Sequence, residues 1–144
     1  MCIRDRYLRP EFRENAIAYN LANLHFHQQE YKPALKSLMS VEFSDVFYAL
    51  DTRRMMLMIY FEQEEEEAFL SLVSSFRTFL RRNKIISRQN KAAYKNFVDA
   101  LARIFRARES GNTQRMKQLA TKIQQTSPLV EGEWLLSKLS DLMG

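Results

Sequence analysis

The sequence predicts an all-α protein, and three observations carry that expectation. Glycine and proline are scarce, with 3 of each in 144 residues, whereas sheet-rich domains need more of both for their turns. The remaining composition is rich in Leu, Ala, Met, Glu, Gln, Lys and Arg, all good helix formers. Apolar residues recur at three- and four-residue intervals along most of the chain, and no alternating strand pattern stands out. Hydrophobic residues make up 46% of the chain, enough to build a core and more than disordered segments carry.

The elements follow in order. Ile17, Leu21 and Leu24 keep i, i+4, i+7 spacing and predict a first helix over about 12–28. Pro33 suits the first turn of a second helix, which would bury Ala34, Leu35, Leu38 and Met39 and end near Val41. Ser44 or Asp45 could cap a third helix reaching Glu62. Its second half is apolar all round, as expected of a helix flanked on several sides. A fourth helix follows the glutamate run, with Phe69, Leu72, Val73, Phe76, Phe79 and Leu80 on one stripe, and stops near Arg82-Asn83. Ser87 is a candidate cap for a fifth, in which Tyr94, Phe97, Val98, Leu101, Ile104 and Phe105 keep the period. Ser110-Gly111-Asn112 breaks the pattern before a sixth helix burying Met116, Leu119, Ala120 and Ile123. After Ser127-Pro128, a short seventh carries Trp134, Leu135, Leu139 and Leu142.

Two stretches match at an offset of 34 residues, LHFHQQEYKPALKSL from Leu24 and MIYFEQEEEEAFLSL from Met58. Gln29, Glu30, Ala34, Ser37 and Leu38 meet Gln63, Glu64, Ala68, Ser71 and Leu72. Leu21, Ala22, Tyr31, Ala34 and Leu38 fall in the order and at the intervals of a tetratricopeptide unit, where small residues let two helices approach. The second unit keeps Ala68 and Leu72 but has Met55 and Met56 in place of the usual leucine and small residue, and Glu65 in place of an aromatic. Over about 16–123 the chain therefore resembles the tetratricopeptide-repeat family, and FRTFLRRNK is similar to a segment of uncharacterised bacterial repeat proteins of this type. The resemblance implies a right-handed α-solenoid of stacked antiparallel hairpins, at about 12–42, 45–83 and 87–126, the third departing from the 34-residue period. A helix at about 130–143, bearing Trp134, would cover the last exposed face. It also implies a scaffold that holds a peptide or helix of a partner.

Chemistry-bearing residues are few. His25 and His27 are two apart and point to different faces, whereas paired helical metal ligands stand at i, i+4. The Glu62–Glu67 run, EQEEEE, fans around a helix start, where acidic side chains favour the dipole, instead of converging on a pocket. Met55, Met56 and Met58 read as plastic core. Three scattered glycines make no phosphate loop, and no nucleophile, base and acid fall in a supported order. We therefore expect no catalytic residue, metal or cofactor.

The charge points toward partners. The net charge is +5, and the basic residues Arg77, Arg81, Arg82, Lys84, Arg88, Lys91, Lys95, Arg103, Arg106 and Arg108 run together with Asp99 as the only acid among them. Phe76, Tyr94, Phe97 and Phe105 are interleaved but lie on the apolar stripe, so they read as core and not as base-stacking platforms. The stretch is either a solvated face, a docking surface for an acidic protein segment, or a nucleic-acid contact without a reading motif. We take Arg77, Arg81, Arg82, Lys84, Arg88, Lys91 and Lys95 as the candidate partner-binding residues of a protein-binding scaffold. The alternatives are a nucleic-acid-associated basic domain, or an accessory C-terminal region of a larger enzyme or regulator. No apolar run approaches the ~20 residues needed to span a bilayer, and a cytoplasmic location is expected.

The first six residues, MCIRDR, match the translation of a transposase-end sequencing adapter and are expected to be foreign to the native chain. On that reading residues 7–144 form one domain of a longer protein, Cys2 carries no redox information, and the native net charge falls to about +4.

Overall fold

A computed structural model describes residues 10–40 and 46–144. Among the described residues the protein is entirely helical: α1 Pro10–His27, α2 Tyr31–Met39, α3 Val46–Glu62, α4 Glu66–Arg82, α5 Arg88–Ser110, α6 Thr113–Gln124 and α7 Gly132–Met143. The expected cap at Ser44 or Asp45, the expected end of α2 at Val41 and the N-terminal tail lie outside the described residues. The chain divides into two compact units, residues 1–69 and 70–144.

In the first unit α1 packs on α2, and α3 packs on both. Ala22, Ala34, Leu38, Met55 and Ile59 form the buried cluster, with Tyr19, Phe26, Tyr31, Leu35 and Met56 packed around it. Two alanines at the α1–α2 contact leave room for close helix approach. Arg54 reinforces the packing by donating from Nη2 to the Tyr19 hydroxyl at 2.8 Å. The Tyr31 hydroxyl donates to Glu62 at 2.9 Å. As its all-round apolar character predicts, α3 buries Leu50, Thr52, Met55, Leu57, Ile59 and Phe61.

The apolar stripe that marks α1 in the sequence is not its buried face. Ile17, Leu21 and Leu24 are 60%, 44% and 53% exposed, whereas Asn15 and Ala22 are buried. The inward face instead follows Asn15, Tyr19, Ala22 and Phe26, because α2 and α3 approach on the side where Ala22 is small. Met39, expected in the core, is 70% exposed at the end of α2.

The repeat register also shifts by one residue. α1 ends in a Schellman turn: Gln29 is left-handed, with φ +62°, its N–H donates to the Phe26 carbonyl, and Glu30 N–H donates to the His25 carbonyl. α3 ends identically at Glu64, with φ +55°, where Glu64 and Glu65 donate to Phe61 and Tyr60. The next bonds match too, Ala34 N–H to Glu30 and Phe69 N–H to Glu65. The two turns are thus 35 residues apart, Gln29 to Glu64, not the 34 that the shared letters favour. In that register Ala22 answers to Leu57, Ala34 to Phe69 and Phe26 to Phe61, all but Phe26 fully buried or nearly so.

In the second unit α5 is central. It buries Ala93, Phe97, Val98, Leu101, Ile104 and Phe105, among others, and both α6 and α7 pack on it. Its caps are as the sequence suggests. Ser87 accepts from Asn90 N–H at 3.1 Å, and Gly111, at φ +66°, closes the C-terminus. Asn112 then caps α6 by accepting from Arg115 N–H at 3.0 Å. Of the residues expected inside α6, Met116, Leu119 and Ile123 are buried, and Ala120 is half-exposed because it sits at the rim of that face. Leu135 and Leu139 anchor α7. Asn96 reaches the preceding loop through a 2.9 Å bond to the Pro128 carbonyl.

Candidate functional site

Helical spacing assembles the basic residues. Arg77 and Arg81 stand one turn apart on α4, and Lys91 and Lys95 one turn apart on α5, so each pair shares a face. The four line a single open cleft of about 350 Å³ whose floor is Leu80 and Ala92. Leu80 is buried against the core, so the floor is apolar and the rim cationic. Of the expected partner-binding residues, Arg82, Lys84 and Arg88 are exposed but do not line this cleft.

Asp99 organises two of the four cations. Its Oδ1 accepts from Nε and Nη2 of Arg77 at 3.1 and 2.9 Å, and its Oδ2 accepts from Lys95 Nζ at 2.8 Å. Burial pushes the Asp99 carboxyl up, but the hydrogen bonds and charges of Lys95 and Arg77 outweigh it and hold the group below its ordinary value. Among the described residues no carboxylate pairs with Arg81 or Lys91. The cleft therefore keeps a surplus of positive charge over a short apolar strip.

The link between the two helices is held by a side chain. Asn83 Oδ1 accepts from both Ile85 N–H and Ile86 N–H, at 2.9 and 3.2 Å, and Ile86 is buried while Ile85 is 79% exposed. Asn83 thus orders the turn that follows α4. A second, smaller cleft of about 230 Å³ lies between α5 and α6, lined by Asn96, Asp99, Arg103, Lys122 and Thr126 among others. Arg106 is exposed. Arg108 lies over the Phe105 ring at 5.2 Å, in the last turn of α5 where the helix dipole favours a cation.

The remaining expectations resolve locally. His25 Nδ1 pairs with Glu30 Oε1 at 2.8 Å, across the Schellman turn, while His27 is exposed. The glutamate run straddles a turn: Glu62 closes α3, Glu64 takes the left-handed position, and Glu66 and Glu67 open α4. Burial first, then the bond to Glu62 and its charge, push the Tyr31 hydroxyl up to about 12. Among the described residues no three His, Cys, Asp or Glu side chains gather as a metal site, and no helix is long and apolar enough to cross a membrane.

Sequence reasoning found the basic residues but missed how Asp99 ties Arg77 to Lys95 and which four cations converge. The i, i+4 spacings of Arg77–Arg81, Lys91–Lys95 and Lys95–Asp99 were the available signal. Compared with protein-family models, curated proteins and solved structures, the chain matches none.

Proposed function

We propose that the chain is a non-catalytic scaffold of tetratricopeptide-like helical hairpins, and that the α4–α5 cleft receives an acidic, amphipathic peptide segment of a partner protein. The observation that carries this reading is the pairing of an apolar floor, Leu80 and Ala92, with a rim of Arg77, Arg81, Lys91 and Lys95. Such a surface suits a helix that alternates acidic and apolar side chains, with charge steering the encounter and the floor excluding water. A polyanion without apolar side chains would use the rim and leave the floor uncovered, so the cleft favours protein over nucleic acid.

Fluorescence anisotropy with a labelled acidic amphipathic peptide tests this, against an acidic peptide lacking apolar residues and a single-stranded oligonucleotide. Binding should weaken with salt, and Arg81→Glu with Lys91→Glu should reduce it by about tenfold or more. An oligonucleotide that outcompetes both peptides would move the chain to the nucleic-acid reading. Equal binding of the two peptides would remove the floor from the account.

A further inference from the structure

The smaller cleft, between α5 and α6, is lined from both helices at helical spacing. Asn96, Asp99 and Arg103 stand on one face of α5, and Lys122 and Thr126 lie one turn apart on α6. Beneath them Ala100, Leu119 and Ile123 are buried, so a polar wall stands over an apolar floor. The charges of that wall do not cancel. Asp99 is the single acid in the lining, and both of its oxygens are already engaged by Arg77 and Lys95. α6 contains no Asp or Glu. Among the described residues no carboxylate pairs with Arg103 or Lys122, although Arg103 is half-buried. A half-buried guanidinium has lost part of its water, and an anion that restores those hydrogen bonds is favoured there.

We propose that the α5–α6 cleft binds a phosphate group in its dianionic form, with Arg103 and Lys122 as the binding residues. This rests on the lining of that cleft and not on the reading of the α4–α5 cleft. Two cations without a carboxylate match the charge of about −2 that a phosphate ester carries, whereas one carboxylate would leave a cation unmatched. The planar Arg103 guanidinium can meet two phosphate oxygens at once, and the Lys122 ammonium acts as a point charge beside it. Asn96 donates to the Pro128 carbonyl at 2.9 Å, which fixes its amide and leaves a second N–H for another oxygen. Thr126 spends its hydroxyl hydrogen on the Lys122 carbonyl at 2.7 Å, so it walls the cleft without donating to the anion. Asp99 faces the same space, but Arg77 and Lys95 offset its repulsion of an arriving anion. At about 230 Å³ the cleft is below the range that encloses a drug-sized ligand. It has room for the phosphoryl group and the first atoms of an ester, so it recognises the group and not the whole molecule that carries it.

Amide NMR spectra of the 144-residue chain, recorded at fixed ionic strength, test this with N-acetyl-phosphoserine amide, adenosine 5′-monophosphate, inorganic phosphate and N-acetyl-glutamate amide. The phosphate probes should shift the amides of Ala100, Arg103 and Ile123 saturably, with dissociation constants on the order of 1 mM. Glutamate should bind about tenfold more weakly. Arg103→Gln and Lys122→Gln should each weaken phosphate binding about fivefold or more, and Arg103→Lys, which keeps the charge and loses the fork, should recover only part of it. Arg81→Gln with Lys91→Gln should leave the binding as it was. The tightest of the three phosphate probes names the source, a phosphorylated protein, a nucleotide or the free ion. Glutamate binding as tightly as phosphoserine overturns the proposal. So do shifts confined to the α4–α5 cleft, the absence of any saturable shift, or binding that survives the Arg103 and Lys122 substitutions.

Discussion

The turns after α1 and after α3 share one backbone and several side chains, Phe26/Phe61, Gln28/Gln63 and Glu30/Glu65, but the helices that flank them pack differently. Both place a non-glycine residue in the left-handed region, Gln29 and Glu64, and both close with the same pair of Schellman bonds. Yet Ala22 and Ala34 meet in the first hairpin where the second has Leu57 and Phe69, and α3 is buried on faces that α1 exposes. The same turn hydrogen bonding thus serves two hairpins whose buried faces differ. Equivalent positions should then respond differently to the same substitution.

The sharpest break is at Leu24 and Ile59. Ile59→Ala removes a fully buried side chain and should destabilise the fold by about 2–4 kcal/mol. Leu24→Ala, at the matching position, should change stability by no more than about 0.5 kcal/mol. Urea unfolding of both variants decides it, and equal losses would mean that Leu24 is covered in solution as Ile59 is. A smaller effect, of opposite sign, is expected in the turns. Glycine at Gln29 or Glu64 relieves the left-handed strain and should stabilise by about 0.5–1 kcal/mol. Glu64→Gly should gain more than Gln29→Gly, because it also thins a crowded run of carboxylates; a larger gain at Gln29 would show that this repulsion is already screened.

The smallest effect separates the hairpins by pH. In the first, Tyr31 donates to Glu62; its counterpart in the second is Glu66, which offers no phenol. The Tyr31 hydroxyl is raised from 10.0 to about 12, so its contribution is complete below the unfolded value and is lost as pH climbs through the folded one. Tyr31→Phe should therefore flatten part of the alkaline loss of stability measured by circular dichroism between those values. An unaltered alkaline limb would assign that loss to other groups, among them Tyr60, which burial and then the charge of Glu65 also raise.

Much of the helical layout was legible because its signals are local. Ser87 bonds to an amide three residues on, and Gly111 needs only its own φ, so sequence neighbours suffice to read them. The facing of α1 was not legible. Periodicity locates an apolar stripe, but Ile17, Leu21 and Leu24 make a good stripe whether or not anything covers it. The register failed for a related reason: Gln29 and Gln63 share a letter, but hydrogen bonding follows the left-handed residue, and that position tolerates either Gln or Glu. In the cleft, Lys95 and Asp99 are one helical turn apart and could be paired from sequence. Arg77 joins them from another helix, 22 residues away, where only tertiary packing decides.

Asp99 subtracts a charge from a surface whose character is positive, and that loss has a counterpart in order. Long basic side chains sample many rotamers, and holding each still on binding opposes association by about 0.5–1.5 kcal/mol. By gripping Arg77 and Lys95 in the free protein, Asp99 has already removed much of that freedom before any anion arrives. Arg81 and Lys91 remain free to adapt. The cleft thus has one fixed pair of cations and one compliant pair. A ligand would meet the first as a template and shape the second around itself, and a neutral side chain at position 99 would raise the charge of the rim while loosening its geometry.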